Sequence, residues 1–359
     1  MSASLMDPSV PGLVARAEST GQMLNFDVER FLRIQTGALG IAETIRPLMR
    51  DLLGRGLRRL FVMGTGGVQL LTLPAIDLIR GACDFPVAAL HPAQVVLAPP
   101  AGLDETALVV IPSLSGTTRE SVDLLDFLKR CGVTTLALTG HPDTPLAREA
   151  SHAFTNFAEY DTSSESFYLQ TLIIALALLA ETGAMADFDA VLAELRLLPG
   201  LLVDAKRRYE PEAAQLAAAI RAEPWHILTG AGATWPQAHY YAMCILEEMQ
   251  WIRTRPVHAA DFFHGTLELV EPGVSVFVLK GEDALRPLTE RVERFVHRYT
   301  HKVWVLDAAQ AALPGIGPRT RAMISPIVLA TLLERLSAHL EVQRDHPLTT
   351  RRYYKRVEY

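Results

Sequence analysis

The sequence predicts an α/β protein made of two tandem units, each a mainly parallel sheet flanked by helices. Short runs rich in Val, Ile and Leu, closed by Gly, Ser or Pro, alternate with longer stretches of helical period. The same order of strand, Gly-rich turn, helix and strand occurs twice along the chain. A length of 359 residues also exceeds what one hydrophobic core usually supports and fits two units of about 150 residues each.

These patterns place strands and helices along both units. The predicted strands of the first unit are 59–64, 87–90, 107–113 and 134–140, and its helices are 66–81, 117–132 and 165–182. The predicted strands of the second unit are 226–230, 274–281 and 302–307, and its helices begin near 236, 284 and 325. The predicted organisation is an N-terminal segment (1–30), a first domain (31–195), a second domain (196–343) and a C-terminal tail (344–359).

Composition narrows the class of protein. A net charge of −6 disfavours nucleic acid or an anionic membrane as a partner. The three cysteines have long spacings that suit a reducing compartment and no thiolate metal site. The N-terminus lacks a secretory signal pattern, and the most apolar run, Leu169 to Ala180, is shorter than the roughly 20 residues that a membrane span needs. We therefore expect a cytoplasmic protein with no membrane or nucleic-acid partner.

The segment VVIPSLSGTTRESVDLL predicts an anion site. A buried strand ends at Pro112, Gly116 allows a turn, and a helix follows. Five hydroxyl groups lie within nine positions: Ser113, Ser115, Thr117, Thr118 and Ser121. Free N–H groups at a helix start attract an anion, and hydroxyls add donors. Thr117 and Glu120 could instead form a capping box without a ligand. Capping needs only one or two hydroxyls, so we favour phosphate binding at the carboxyl end of this strand.

Two Gly-rich turns, at 64–67 and 230–232, do not complete a dinucleotide-binding fingerprint. Gln69 and Trp235 occupy the positions of the third glycine, and no P-loop motif is present. Close packing of helix on strand explains these glycines about as well as ligand contact does. None of the five lysines lies in these turns, which disfavours a Schiff-base lysine except Lys355 in the tail. No cofactor is expected.

The stretch LEEMQWIRTRPVHAADFFHG holds the candidate acid/base pair. A helix is predicted to bury one face, made of Ala242, Ile245, Leu246, Met249 and Ile252. Glu248 lies beside that face, where partial desolvation raises a carboxyl pKa, whereas Glu247 points about 100° away. His264 follows sixteen residues later in a loop, and an imidazole is a common acid/base partner. Taken alone, a surface helix followed by a loop histidine is the simpler interpretation.

Two other features have competing interpretations. His258, Asp261 and His264 could bind a metal, but their spacing matches no defined ligand motif. The tail RDHPLTTRRYYKRVEY places Arg344, Arg351, Arg352 and Lys355 among tyrosines. A charge cluster of this kind is usually solvated, although its aromatic residues would also allow it to close over an anionic substrate.

Four motifs together resemble the sugar isomerase (SIS) family: MGTGG, SLSGTTRES, YDTSSESFYLQT and EEMQWIRTRPVHAADFFHGTLELV. Members carry two copies of a phosphosugar-binding α/β domain, and this chain is most similar to the phosphofructosyl-amino-acid deglycases. The resemblance runs from about residue 30 to the final RRYYKRVEY. It implies a cofactor-independent homodimer, with the His264 loop completing the neighbouring chain's site.

The resemblance also implies individual roles. Glu248 would be the catalytic base with His264 as its partner, although aligning the Gly-rich turn instead places Glu247 there. The implied contacts to the sugar phosphate and the rest of the substrate are Thr65, Gly66, Ser113, Ser115, Thr118, Ser163 and Ser164. By this resemblance Gly66 stands where relatives often have serine. Glucosamine-6-phosphate synthase, whose isomerase domain also resembles this chain, carries a lysine near its C-terminus, and both Arg352 and Lys355 fall near that position.

The implied reaction cleaves a 6-phosphofructosyl amine to glucose 6-phosphate and a free amine or amino acid. One alternative is an aldose/ketose phosphate isomerase or an aminosugar-phosphate deaminase on the same scaffold. The other is a non-catalytic phosphosugar sensor.

Overall fold

Two parallel sheets form the framework of the protein. The computed structural model describes residues 23–354 and 356–358. The strands of the first sheet are β1 (Arg59–Met63), β2 (Val87–Leu90), β3 (Ala107–Ser113), β4 (Thr134–Thr139) and β5 (His152–Thr155). The strands of the second sheet are β6 (Trp225–Gly230), β7 (Arg253–His258), β8 (Ser275–Lys280) and β9 (Val303–Asp307). The strand orders are β2-β1-β3-β4-β5 and β7-β6-β8-β9, and every pair is parallel.

Helices cover both sheets, as the α/β prediction requires. In the first half they are α1 (Val28–Gly40), α2 (Ala42–Gly54), α3 (Gly67–Ala82), α4 (Pro92–Leu97), α5 (Arg119–Arg130), α6 (Pro145–Glu149) and α7 (Ser163–Glu181). The later ones are α8 (Phe188–Ile220), α9 (Trp235–Tyr240), α10 (Arg286–Val296) and α11 (Pro318–Gln343). The last begins before the predicted residue 325, because Pro318 occupies the first helical turn, where proline is favoured.

The two sheets repeat one topology, which confirms the predicted tandem α/β architecture. By order and connection β6, β7, β8 and β9 correspond to β1, β2, β3 and β4. The apolar patterns of the sequence did not predict β7, which contains Pro256. The residue Pro256 fits because β7 lies at the sheet edge, where the missing N–H removes no ladder bond.

One large core lies between the sheets. Side chains alternate across each strand, so Leu108 and Val110 of β3 enter this shared core while Val109 and Ile111 enter a smaller outer core. The apolar run predicted as a buried helix is the middle of α7, where almost every residue is buried. In the described chain α7 and α11 are long and apolar enough to cross a membrane, but 89% of each apolar window is buried inside the protein.

The predicted boundary between the two domains falls inside a continuous helix. α8 runs through residues 195 and 196, and Leu195 and Tyr209 both belong to the shared core. Because the core crosses the boundary, the halves meet across packed side chains. The division at 195 and 196 stays a prediction.

Candidate functional site

A cavity of about 750 Å³ lies beside the carboxyl ends of β1 and β3. Its walls come from the turns after these strands, the first turn of α7, the helix at 235–249, α11 and the tail. The cavity brings together eight of the nine predicted site residues: Thr65, Gly66, Ser113, Ser115, Thr118, Ser163, Ser164 and Glu248. The ninth, His264, does not line it.

The turn after β3 presents its hydroxyl groups to this cavity. The Ser113 hydroxyl accepts from the Gly116 N–H at 3.2 Å, and the Ser115 and Thr118 hydroxyls lie 3.4 Å apart. Gly116 has φ +60°, and a Cβ there would lie 2.2 Å from the Thr144 hydroxyl oxygen, so the turn requires glycine. The cap residue of α5 is Thr118, and its side chain makes no capping bond. The alternative capping box through Thr117 is therefore wrong, and the hydroxyls of Ser115 and Thr118 face the cavity.

Three helices begin at the cavity wall. Their cap residues are Gly66 for α3, Thr118 for α5 and Thr162 for α7, and none makes a side-chain capping bond. The first N–H groups of a helix carry partial positive charge, so this arrangement favours an anion. Among the described residues that line the cavity there is neither lysine nor arginine. An anion held here would depend on N–H and hydroxyl donors.

The Gly66 backbone adopts a conformation that favours glycine. Its φ of +63° lies in the region that L side chains rarely adopt, and no atom lies within 4 Å of the place where a Cβ would stand. A serine would fit the space but strain the backbone. The conformation keeps the start of α3 open toward the cavity.

Glu248 reaches the cavity from an irregular helix end. α9 passes into a π-helical turn, Tyr241–Glu247, and the Glu248 N–H donates to the Met243 carbonyl five residues back at 3.1 Å. The regular helix predicted from the spacing of the apolar residues is therefore wrong at this point. Glu248 lines the cavity, whereas Glu247 is exposed and accepts a hydrogen bond from the Thr254 hydroxyl.

Arg351 of the tail is the partner of Glu248. Its Nε donates to Glu248 Oε1 at 2.9 Å, and its Nη1 donates to the carbonyls of Leu348 and Thr350 at 2.7 and 2.9 Å. Burial raises the pKa of Glu248, and the Arg351 guanidinium partly opposes that rise. The carboxylate is thus half-buried and held in a fixed position. The tail residue Lys355 lies outside the described residues.

A buried charge cluster forms the floor of the cavity. Glu165 and Glu334 both line the cavity, and both accept from the Lys206 ammonium group, at 3.1 and 2.8 Å. Lys206 is fully buried and also lies about 5 Å from the Phe26 and Phe31 rings. The sequence analysis missed this cluster, since its members are far apart in the chain and match no motif.

The described residues contain no group of three His, Cys, Asp or Glu side chains arranged to hold a metal ion. Of the three residues considered for a metal, His258 uses its Nδ1 to accept the Ala260 N–H at 3.1 Å. Its ring packs edge-on against Trp235. These contacts give His258 a structural place between β7 and α9.

Comparisons with known proteins match this architecture. The SIS domain profile matches residues 57–180. A fructosamine deglycase of Bacillus subtilis is 30% identical over 325 residues, which cover 89% of this chain and 98% of that protein. This chain belongs to the SIS family. A fructoselysine 6-phosphate deglycase of Escherichia coli is 26% identical over 310 residues, covering 86% of this chain and 89% of the relative.

Solved structures support the same assignment. A Bacillus subtilis structure described as a phosphosugar isomerase superposes with a TM-score of 0.84 at 29% identity, covering 90% of this chain and 99% of its own. A second, from Salmonella typhimurium, has a TM-score of 0.82 at 28% identity and covers 89% and 97% of the two chains. The protein is thus an enzyme with the tandem SIS fold.

In this SIS protein His264 lies away from Glu248. It is exposed on the loop after β7, and its backbone N–H donates to the Asp261 carbonyl at 2.9 Å. Phe262 is fully buried and Phe263 packs under the Arg291 guanidinium at 4.1 Å, which anchors the loop. A single chain therefore contributes Glu248 to its own cavity and presents His264 outward.

Proposed function

We propose that this SIS protein cleaves a 6-phosphofructosyl amine to glucose 6-phosphate and a free amine or amino acid. The observation that carries the proposal is one cavity that joins a cation-free anion cradle to a half-buried carboxylate of raised pKa. The deglycase relatives support this substrate class. The cradle would bind the sugar phosphate through Ser113, Ser115 and Thr118, with Thr65, Gly66, Ser163 and Ser164 around it.

In the proposed mechanism Glu248 removes a proton from C1 of the open-chain sugar and forms an enaminol. Protonation at C2 converts the enaminol to an imine at C1, and water then adds to C1 and the amine leaves. These steps move protons and need no redox cofactor. Binding of the remote phosphate would hold C1 against Glu248, since positioning of a reacting carbon contributes much of such a rate.

We also propose that His264 acts on the cavity of a second copy in a homodimer. Within one chain His264 is exposed and does not line the cavity, whereas its loop is anchored by buried Phe262. An imidazole there would assist ring opening and deliver protons to the substrate oxygen or nitrogen. The predicted location of this dimer is the cytoplasm.

The reaction is tested by coupled detection of glucose 6-phosphate from a panel of 6-phosphofructosyl amino acids. The proposal expects glucose 6-phosphate and free amine in equal amounts. Fructose 6-phosphate is offered in parallel. Its conversion to glucose 6-phosphate without turnover of any panel member would replace the deglycase by an isomerase. Binding without any turnover would instead indicate a sensor.

The shared site is tested by mixing two inactive variants, Glu248→Gln and His264→Ala. A hybrid dimer would regain one site that contains both wild-type groups, so random exchange should restore about a quarter of wild-type activity. Each variant alone, taken through the same unfolding and exchange steps, is the control. A mixture no more active than its components would place both groups in one chain or make His264 dispensable.

A further inference from the structure

A second concave surface lies on the other side of Glu248. This groove has a volume of about 720 Å³. Its lining comes from residues 247–254, except Met249 and Gln250, and from residues 351–354. Glu248 and Tyr354 line both the cavity and the groove. The ion pair between Glu248 and Arg351 therefore stands where the two spaces adjoin.

The charges of the groove differ from those of the cavity. Arg253 and Arg352 line the groove, and neither forms an ion pair with a carboxylate in the part of the chain that the structure describes. Both residues are exposed. The carboxylates on the same wall are engaged, Glu247 by the Thr254 hydroxyl and Glu248 by Arg351. The groove thus offers two guanidinium groups to a ligand, which suits a carboxylate.

An aromatic residue also lines the groove. Trp251 is 37% exposed, and the Arg352 guanidinium lies 3.9 Å from the centre of its ring. Trp251 has φ +56°, a conformation that costs energy for a residue other than glycine, and its ring packs edge-on against His346 at 4.6 Å. The fold therefore holds a tryptophan face at the groove despite the backbone strain.

We propose that this groove is the subsite for the amine portion of the substrate and selects amines that carry a carboxylate. The inference rests on the proposed function. With the phosphate in the cradle and C1 at Glu248, the nitrogen bonded to C1 leaves the cavity beside Glu248, where the groove begins. Arg253 and Arg352 then bind the carboxylate, and the hydrocarbon part of the amine lies over Trp251. The preferred substrates are 6-phosphofructosyl amino acids.

The test uses two substrates that differ by one carboxylate, 6-phosphofructosyl-glycine and 6-phosphofructosyl-methylamine. A charged hydrogen bond contributes enough to expect a wild-type kcat/KM ratio of about 10 or more in favour of glycine. The double variant Arg253→Gln, Arg352→Gln should lower this ratio to about 1, because the glycine substrate loses the larger share. Arg298→Gln, an exposed arginine outside the groove, is the matched control and should keep the wild-type ratio.

A ratio that survives the double substitution, or a wild-type enzyme without preference, would overturn the subsite. Failure of the proposed function gives a different result, namely no glucose 6-phosphate from either substrate. In that case calorimetric binding of the same two compounds decides. Tighter binding of the glycine compound that the double variant abolishes would support the groove, and equal binding of both compounds would overturn it.

Discussion

The two halves of this SIS protein share a strand order but differ at the carboxyl ends of their strands. In the first half the turn after β1 is open, since no atom lies within 4 Å of a Cβ placed on Gly66. In the second half the corresponding turn after β6 is filled. A Cβ on Gly232 would lie 2.6 Å from Asp283 Oδ2, and the same carboxylate accepts the Ala233 N–H at 3.0 Å.

The turns after β3 and β8 show the same contrast. The turn after β3 carries the hydroxyls that face the cavity. The turn after β8 carries Asp283 and Glu282 instead, and Glu282 forms an ion pair with Arg321 at 2.8 Å. In the second half the Asp283 carboxylate therefore occupies the place that is open in the first half. Among the residues that the second half contributes to the cavity is Glu248, at the far end of the helix that follows the filled turn. In the proposed mechanism, one topology thus supplies the phosphate-binding turn in one half and the proton-transfer group in the other.

The largest expected effect comes from removing the Glu248 carboxylate, which the second half contributes to the cavity. Glu248→Gln should lower kcat by about 10²- to 10⁴-fold, because it replaces a general base by a group that cannot accept the proton. Glu247→Gln, which changes an exposed neighbour, should lower kcat by less than about tenfold. Steady-state release of glucose 6-phosphate measures both. A reversed order would give the role of base to Glu247.

Much of this contrast was visible in the sequence before the fold. The hydroxyl turn at 113–118 could be predicted because its residues are contiguous and follow an apolar strand. Glu248 could be placed near a buried face by helical spacing. The Arg351 partner could not be predicted, because it lies 103 residues away and a basic tail gives no indication of what it contacts. Likewise, β7 could not be predicted, since Arg253–His258 contains one strongly apolar residue, Val257, among mostly polar and charged ones.

Substitutions in the turns after β3 and β8 should have effects of intermediate size, and they should affect different properties of the protein. Ser115→Ala should raise KM for the phosphorylated substrate about tenfold by removing a donor to a charged group. It should barely change the melting temperature, because its internal hydrogen bonds are long, 3.4 Å. Asp283→Ala should do the opposite and lower the free energy of unfolding by about 1 to 3 kcal/mol, since it leaves the N–H groups of Ala233 and Leu285 without their acceptor.

Thermal melts and KM values measured on the same preparations check the pair. Asp283→Asn is the companion variant: the two N–H groups bind different carboxylate oxygens, so the single amide oxygen can keep only one bond and should recover only part of the lost stability. A rise in KM for Asp283→Ala at a temperature where the protein remains folded would mean that the second turn also contacts substrate. The two halves would then not differ in the way that their turns indicate.

The smallest expected effect concerns the tail, which joins the two halves at Glu248. The base must be ionised to act, so kcat/KM falls as pH drops through the pKa of Glu248. Arg351 lowers that pKa, and Arg351→Gln should therefore move the acidic limb of the pH profile to higher pH. Below the limb the loss should be roughly two- to fivefold, since solvent reaches Glu248 and screens the pair, and above it the rates should converge. Arg351→Lys keeps the positive charge, so the acidic limb of its pH profile should stay at the wild-type pH. A limb that does not move with Gln would show that burial alone sets the pKa of Glu248.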